Sequence, residues 1–152
     1  LDVIVRVTSD CPLIDGELIK TAVQTFEYMN DPSIYLSNCI KRTFPRGFDF
    51  EIFSFEALEN AFRNATTVVQ KEHVTPYINQ NIEGNISNVD FTSDKDSSQF
   101  RITVDTEADF SLIEKLIIEH QAHILGAEEV INILYNNPDL AKINAHIEQK
   151  KL

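Results

Sequence analysis

Two cysteines, four glycines and five prolines in 152 residues exclude several classes of protein. Cys11 and Cys39 are too few for a disulfide framework and fit a reducing, cytoplasmic compartment, where they pack as small thiols. With so little glycine and proline there is no low-complexity tract and no clear linker, and no internal repeat is visible, so one domain over residues 1–152 is expected. No stretch approaches the ~20 consecutive apolar residues that a helical membrane span needs. Cations are scarce: 13 Lys and Arg face 24 Asp and Glu, a formal charge of −11. That balance opposes nucleic-acid binding, which runs on Lys and Arg releasing counterions from phosphates. A polyphosphate ligand would need a metal or a local basic loop. An initiator Met is missing as well. The chain opens on Leu1 and enters an apolar strand within two residues, with no solvated lead-in, which predicts a chain cut upstream.

What is present is a core and an alternation of strands and helices. At 43% hydrophobic, a chain of this length can remove about 70% of its unfolded surface from water. Residues 3–7, Val-Ile-Val-Arg-Val, read as a buried parallel strand. Behind it comes Thr8-Ser9-Asp10-Cys11-Pro12, a tight loop, and then Asp15 as the cap of a helix over 16–29 with Leu18, Ile19, Ala22, Val23 and Phe26 inward. Asp10 thus stands outside the carboxyl end of a strand, where open α/β sheets keep their ligands.

A second strand is expected over 34–39, then a basic loop from Lys41 to Gly47, then an alternating strand over 48–53 with Asp49 and Glu51 on one face. Ser54 caps a helix carrying Phe55, Leu58, Ala61 and Phe62, and a helical piece over 72–79 holds Pro76 in its first turn. Strands over 86–92 and 99–104 follow. The latter ends in Val104-Asp105-Thr106, and Thr106 with Asp109 approximates a capping box for a helix with Phe110, Ile113, Leu116 and Ile117 inward. Asp105 therefore repeats the Asp10 arrangement. Closing helices are expected over 127–135 and 139–150. The sum is an α/β fold with a mixed, mostly parallel sheet flanked by helices. Two carboxylates at strand ends can converge on Mg²⁺, which takes one or two protein carboxylates plus substrate phosphates. Loop aspartates also shape turns and cap helices, and spacing alone leaves both readings open.

Four stretches, Arg-Val-Thr-Ser-Asp-Cys-Pro-Leu-Ile-Asp at 6–15, Phe-Pro-Arg-Gly-Phe-Asp-Phe-Glu at 44–51, Glu-His-Val-Thr-Pro-Tyr-Ile at 72–78 and Arg-Ile-Thr-Val-Asp-Thr at 101–106, occur in that order. In this the chain resembles spore-coat-polysaccharide cytidylyltransferase-like proteins, within the wider group of synthetases that join CMP to sialic and ketodeoxyoctonic acids. The resemblance reaches nearly the whole chain, through Asn144-Ala145-His146, and covers the later part of that family. It implies a Rossmann-like fold of the nucleotide-diphospho-sugar-transferase kind, without the N-terminal segment whose Gly- and Arg-containing loop cradles the nucleotide phosphates. It also implies that Asp10 and Asp105 ligate Mg²⁺ on the phosphates of CTP while a sugar-acid oxygen attacks the α-phosphorus and pyrophosphate leaves. One departure stands out: sialic-acid-activating relatives carry a further acid where this chain has Thr103.

Other candidate substrate contacts are Arg46, whose planar fork suits a sugar carboxylate, Asp49 and Glu51, which suit sugar hydroxyls, and His73. Lys41 and Arg42 suit a phosphate. His120, His123 and His146 make no compact metal motif. The aromatic residues Phe44, Phe48, Phe50 and Tyr77 suggest a two-fold dimer contact. The leading expectation is a Mg²⁺-dependent cytidylyltransferase acting on CTP and a sugar acid for surface polysaccharide synthesis, with these 152 residues inactive alone. The alternatives are a nucleotide-sugar-dependent glycosyltransferase and a non-catalytic sugar- or partner-binding remnant.

Overall fold

A computed structural model describes residues 2–148. Within them the chain forms a mixed α/β arrangement whose elements run β1 (Val3–Arg6), α1 (Gly16–Met29), β2 (Ile34–Ser37), β3 (Glu51–Ser54), α2 (Phe55–Asn64), α3 (Val68–His73), α4 (Pro76–Asn79), β4 (Ser87–Asp90), α5 (Glu107–His120), a 3₁₀ turn at Ala122–Ile124, α6 (Ala127–Asn136) and α7 (Pro138–Ala141). They fall into two compact units. One holds the residues up to Val7 with Ile19–Lys41 and Phe50–Phe91; the other holds Thr8–Leu18, Arg42–Asp49 and the residues from Thr92 onward.

The first unit carries the sheet, in the order β1-β3-β2-β4. β3 runs antiparallel to both of its neighbours, while β2 and β4 are parallel, so β1, β2 and β4 point the same way. The strand read at 3–7 forms, but among the described residues it lies at a sheet edge and pairs antiparallel with β3, with Val5 and Val7 exposed. Its near-continuous apolar run indicated burial on both faces and carried no information about the direction of its partner. β2 and β3 are buried throughout. Register explains the core: Ile4, Phe53 and Tyr35 lie side by side across three strands, the rings of Tyr35 and Phe53 stack with centroids 6.1 Å apart, and Ala57, Ala61, Tyr77 and Ile78 close the cluster. Burying a side chain the size of Phe53 is worth about 1.5–3 kcal/mol.

Helix starts follow the local signals. Asp15 Oδ1 accepts the N–H groups of Glu17 and Leu18 at the head of α1, and Ser54 accepts that of Ala57 at the head of α2. Thr106 and Asp109 complete a capping box on α5. Inward faces shift by a residue or two: α2 buries Ala57 and Ala61 while Phe55 and Phe62 are exposed, and α5 buries Leu112, Ile113 and Leu116 while Phe110 is exposed. Hydrophobicity marked the stripe, and neighbours decided which side of it lay inward.

Three expectations are corrected. The segment 99–104 is no strand; it is extended chain with one parallel bridge, Arg46 to Arg101. The helix expected over 139–150 shortens to α7, with residues 149 and 150 outside the described part. Phe44, Phe48, Phe50 and Tyr77 are all buried, so they offer no surface for a dimer contact. Exposed apolar side chains sit elsewhere, on α2 and α3, where Phe62 and Val68 face solvent.

Candidate active site

The second unit gathers Asp10, Asp105 and their neighbours. After β1 the chain turns, Cys11 N–H donating to Thr8 O at 3.3 Å and Ile14 N–H to Cys11 O at 3.2 Å. The main chain of Asp10 then meets the 101–106 segment: Val104 N–H donates to Asp10 O at 2.9 Å. Thr103 Oγ1 lies 3.0 Å from both Asp10 O and Asp10 Oδ2. The residue standing where sialic-acid-activating relatives have an acid is thus a hydroxyl donor to the first carboxylate. Partial burial pushes the Asp10 carboxyl up, but hydrogen bonds from the Thr8 and Thr103 hydroxyls outweigh it and hold the group below its ordinary range. It is an anion at neutral pH. Burial, reinforced by the negative charges of Asp10 and Asp49, pushes the neighbouring Cys11 thiol up to about 11, which disfavours the thiolate.

Asp105 is half-exposed and accepts Arg101 Nη2 at 2.5 Å. The same guanidinium forks onto Asp109, Nε to Oδ1 at 2.8 Å and Nη2 to Oδ2 at 3.0 Å. Asp109 is fully buried and fully occupied: Asn144 Nδ2 donates to Oδ1 at 2.7 Å, and the N–H groups of Asp105 and Thr106 donate to Oδ2. Burial alone would raise its carboxyl; the Arg101 and Asn144 hydrogen bonds prevail and bring it to about 2. Sequence showed Asp109 only as a cap. Its second role depends on Asn144, which is 35 positions away and bears no local mark.

The segment bearing these residues is docked through the basic loop. Arg46 N–H donates to Phe100 O, and Ile102 N–H donates to Arg46 O at 2.7 Å. Close approach is possible because residue 47 is glycine: at φ +112, a Cβ there would lie 2.6 Å from the Ile102 carbonyl carbon. Gly47→Ala is therefore expected to cost about 2 kcal/mol, read as a lower urea midpoint with an unchanged slope.

Of the remaining candidates, Arg46 and Asp49 belong to the second unit, and Glu51 and His73 to the first. Arg46 is half-buried on this bridge. Asp49 is held by both terminal nitrogens of Arg42, at 2.5 and 3.0 Å, so this pair is committed to each other. Glu51, in the first unit, is buried, accepting Arg6, the Tyr35 hydroxyl and the Thr75 hydroxyl. Its register opposite Arg6 supplies the charge that lets a carboxylate lie inside. His73 ends α3, half-buried, just before Val74 at φ 66.

Among the described residues no group of three or more His, Cys, Asp or Glu gathers around a metal position. A hard cation that keeps several waters asks for less, one or two carboxylates beside substrate phosphates. Asp10 and Asp105, both oxygen donors on segments joined by the Asp10 O to Val104 N–H bond, fit that requirement.

The sequence matches the family described as Cytidylyltransferase over residues 1–143. The chain belongs to this family. It is 35% identical to an uncharacterised protein of Methanocaldococcus jannaschii over 98% of the chain and 60% of that protein. It is 29% identical to the spore coat polysaccharide biosynthesis protein SpsF of Bacillus subtilis over 91% of the chain and 57% of that protein. A solved cytidylyltransferase structure from Leptospira borgpetersenii superposes with a TM-score of 0.86 at 30% identity, over the whole of this chain and 61% of the other. The chain therefore spans about three fifths of the length of each of these relatives. No helix among the described residues is long and apolar enough to cross a membrane.

Proposed function

We propose that this chain is the metal- and sugar-side part of a Mg²⁺-dependent cytidylyltransferase that transfers CMP from CTP to a sugar acid, releasing pyrophosphate, in surface polysaccharide synthesis. The observation that carries the reading is the junction of Asp10 with Thr103 and Val104, the two residues before Asp105. It ties an anionic carboxylate to the segment that carries a second acid, within a cytidylyltransferase fold. In the reaction a sugar oxygen forms a bond to the α-phosphorus as the bond to the β-phosphate breaks, and charge builds on the leaving oxygen. Asp10 and Asp105 would hold Mg²⁺, which would supply neutralisation of that charge. Thr103 fixes the Asp10 carboxylate, so that group does not have to be ordered during the reaction. Arg46, in the same unit as Asp10 and Asp105, is assigned to the sugar carboxylate.

The test is release of pyrophosphate by the full-length protein from each of the four ribonucleoside triphosphates, with Mg²⁺ and a panel of sugar acids. Release that requires CTP and one of the acids is expected. Sugar transfer from a preformed nucleotide sugar, or ligand binding with no turnover on any pair, would overturn the reading in favour of a glycosyltransferase or a binding protein.

A further inference from the structure

Arg101 is shared unequally between two acids. Toward Asp109 it presents two nitrogens, and its side chain is 10% exposed against a carboxylate that is 0% exposed. Toward Asp105, 45% exposed, it presents one nitrogen that it already spends on Asp109. The two bonds are not equally dispensable. Withdrawing the guanidinium from Asp109 would strand a buried charge, whereas the half-exposed Asp105 can exchange it for water or a cation. Arg101 is thus pinned by Asp109 and Asn144 while its Asp105 contact is the replaceable one.

We propose that Arg101 acts as a charge latch on Asp105, keeping the acid pair from holding a divalent cation until a nucleoside triphosphate arrives with it. This rests on Asp10 and Asp105 being the metal ligands. A bare cation approaching Asp105 meets a fixed positive charge at its Oδ2 and must displace a charge-assisted hydrogen bond. A cation already bound to a triphosphate brings excess negative charge, which offsets that repulsion. Thr103 adds to the effect: it contributes a hydroxyl donor to Asp10 and no further negative charge. The metal then enters with the nucleotide and not before it.

The experiment is Mn²⁺ binding to the full-length protein, followed in equilibrium dialysis as the excess of Mn²⁺ on the protein side, with and without the same CTP concentration on both sides. The unaltered protein is expected to bind Mn²⁺ weakly alone and at least tenfold more tightly with CTP; equal binding in the two conditions overturns the latch without any variant. Arg101→Lys keeps one positive charge for buried Asp109 but loses the fork, and is expected to tighten nucleotide-free Mn²⁺ binding by about tenfold. Arg101→Gln combined with Asp109→Asn removes both charges while keeping hydrogen-bonding groups, and is expected to do the same. Unchanged nucleotide-free affinity in whichever of these variants folds overturns the proposal. Asp105→Asn separates the two ideas. If it leaves Mn²⁺ binding with CTP intact, the ligand assignment fails; if it abolishes that binding while the Arg101 variants change nothing, the assignment stands and the latch fails.

Discussion

In the full-length protein, Asp10→Asn and Asp105→Asn are each expected to lower the rate of the proposed CTP-dependent pyrophosphate release by about 10²-fold or more while far-ultraviolet circular dichroism stays unchanged. The size follows from what an amide can do. It keeps shape and one acceptor oxygen but removes the charge that binds a hard cation. At Asp10 the neutral side chain can still accept from Thr103, so the fold is not asked to bury anything new. At Asp105 the lost charge also releases one arm of Arg101, which retains Asp109. The deficit should shrink at saturating Mg²⁺ if the lost term is metal affinity, and persist if it is transition-state stabilisation. Near-normal rates in both variants at limiting Mg²⁺ would remove the assignment.

Asp109→Ala is expected to destabilise the fold by about 3–5 kcal/mol, because it leaves a mostly buried guanidinium without its main partner and orphans the donors of Asn144, Asp105 and Thr106. It should also flatten the acid limb of the stability profile. The folded carboxyl titrates at about 2, against an ordinary value of 3.8. A depressed folded value means that the unfolded chain takes up a proton first. The stabilisation is therefore fully present above about pH 5 and is lost as pH falls toward the folded value, about 2 kcal/mol in all. Urea titrations of the two proteins at pH 6 and pH 3 read this directly: the gap between them should narrow at the lower pH. A gap that is constant across that range would show that Asp109 is not held as an ion.

Several elements of this protein were readable one residue at a time. Asp15, Ser54 and Thr106 announce the starts of α1, α2 and α5, because an N-cap is a bond between a side chain and backbone two or three positions on. The loops bearing Asp10 and Asp105 were legible for the same reason, each being a turn signal directly after an apolar run. Resemblance in four short stretches added the family, and the match over residues 1–143 shows it. Legibility fails wherever the partner is distant. Glu51 alternates as a surface strand residue should, yet lies buried because Arg6, Tyr35 and Thr75 converge on it from 45, 16 and 24 positions away. Phe44, Phe48, Phe50 and Tyr77 read as a surface patch for a dimer, yet all four are buried, because packing against distant segments covers them.

The sequence by itself determined the caps, the alternation of strands and helices, the acidic balance and the two loop acids, because each rests on local hydrogen bonding, periodicity or composition. Tertiary structure alone decided that β1 pairs antiparallel with β3, that 99–104 is a docked extended segment, and that Asp109 serves as the anchor of Arg101 as well as a helix cap. Strand direction, burial and shared charges depend on which distant groups come into contact, and the free energy of those contacts belongs to pairs of segments that carry no mark of each other.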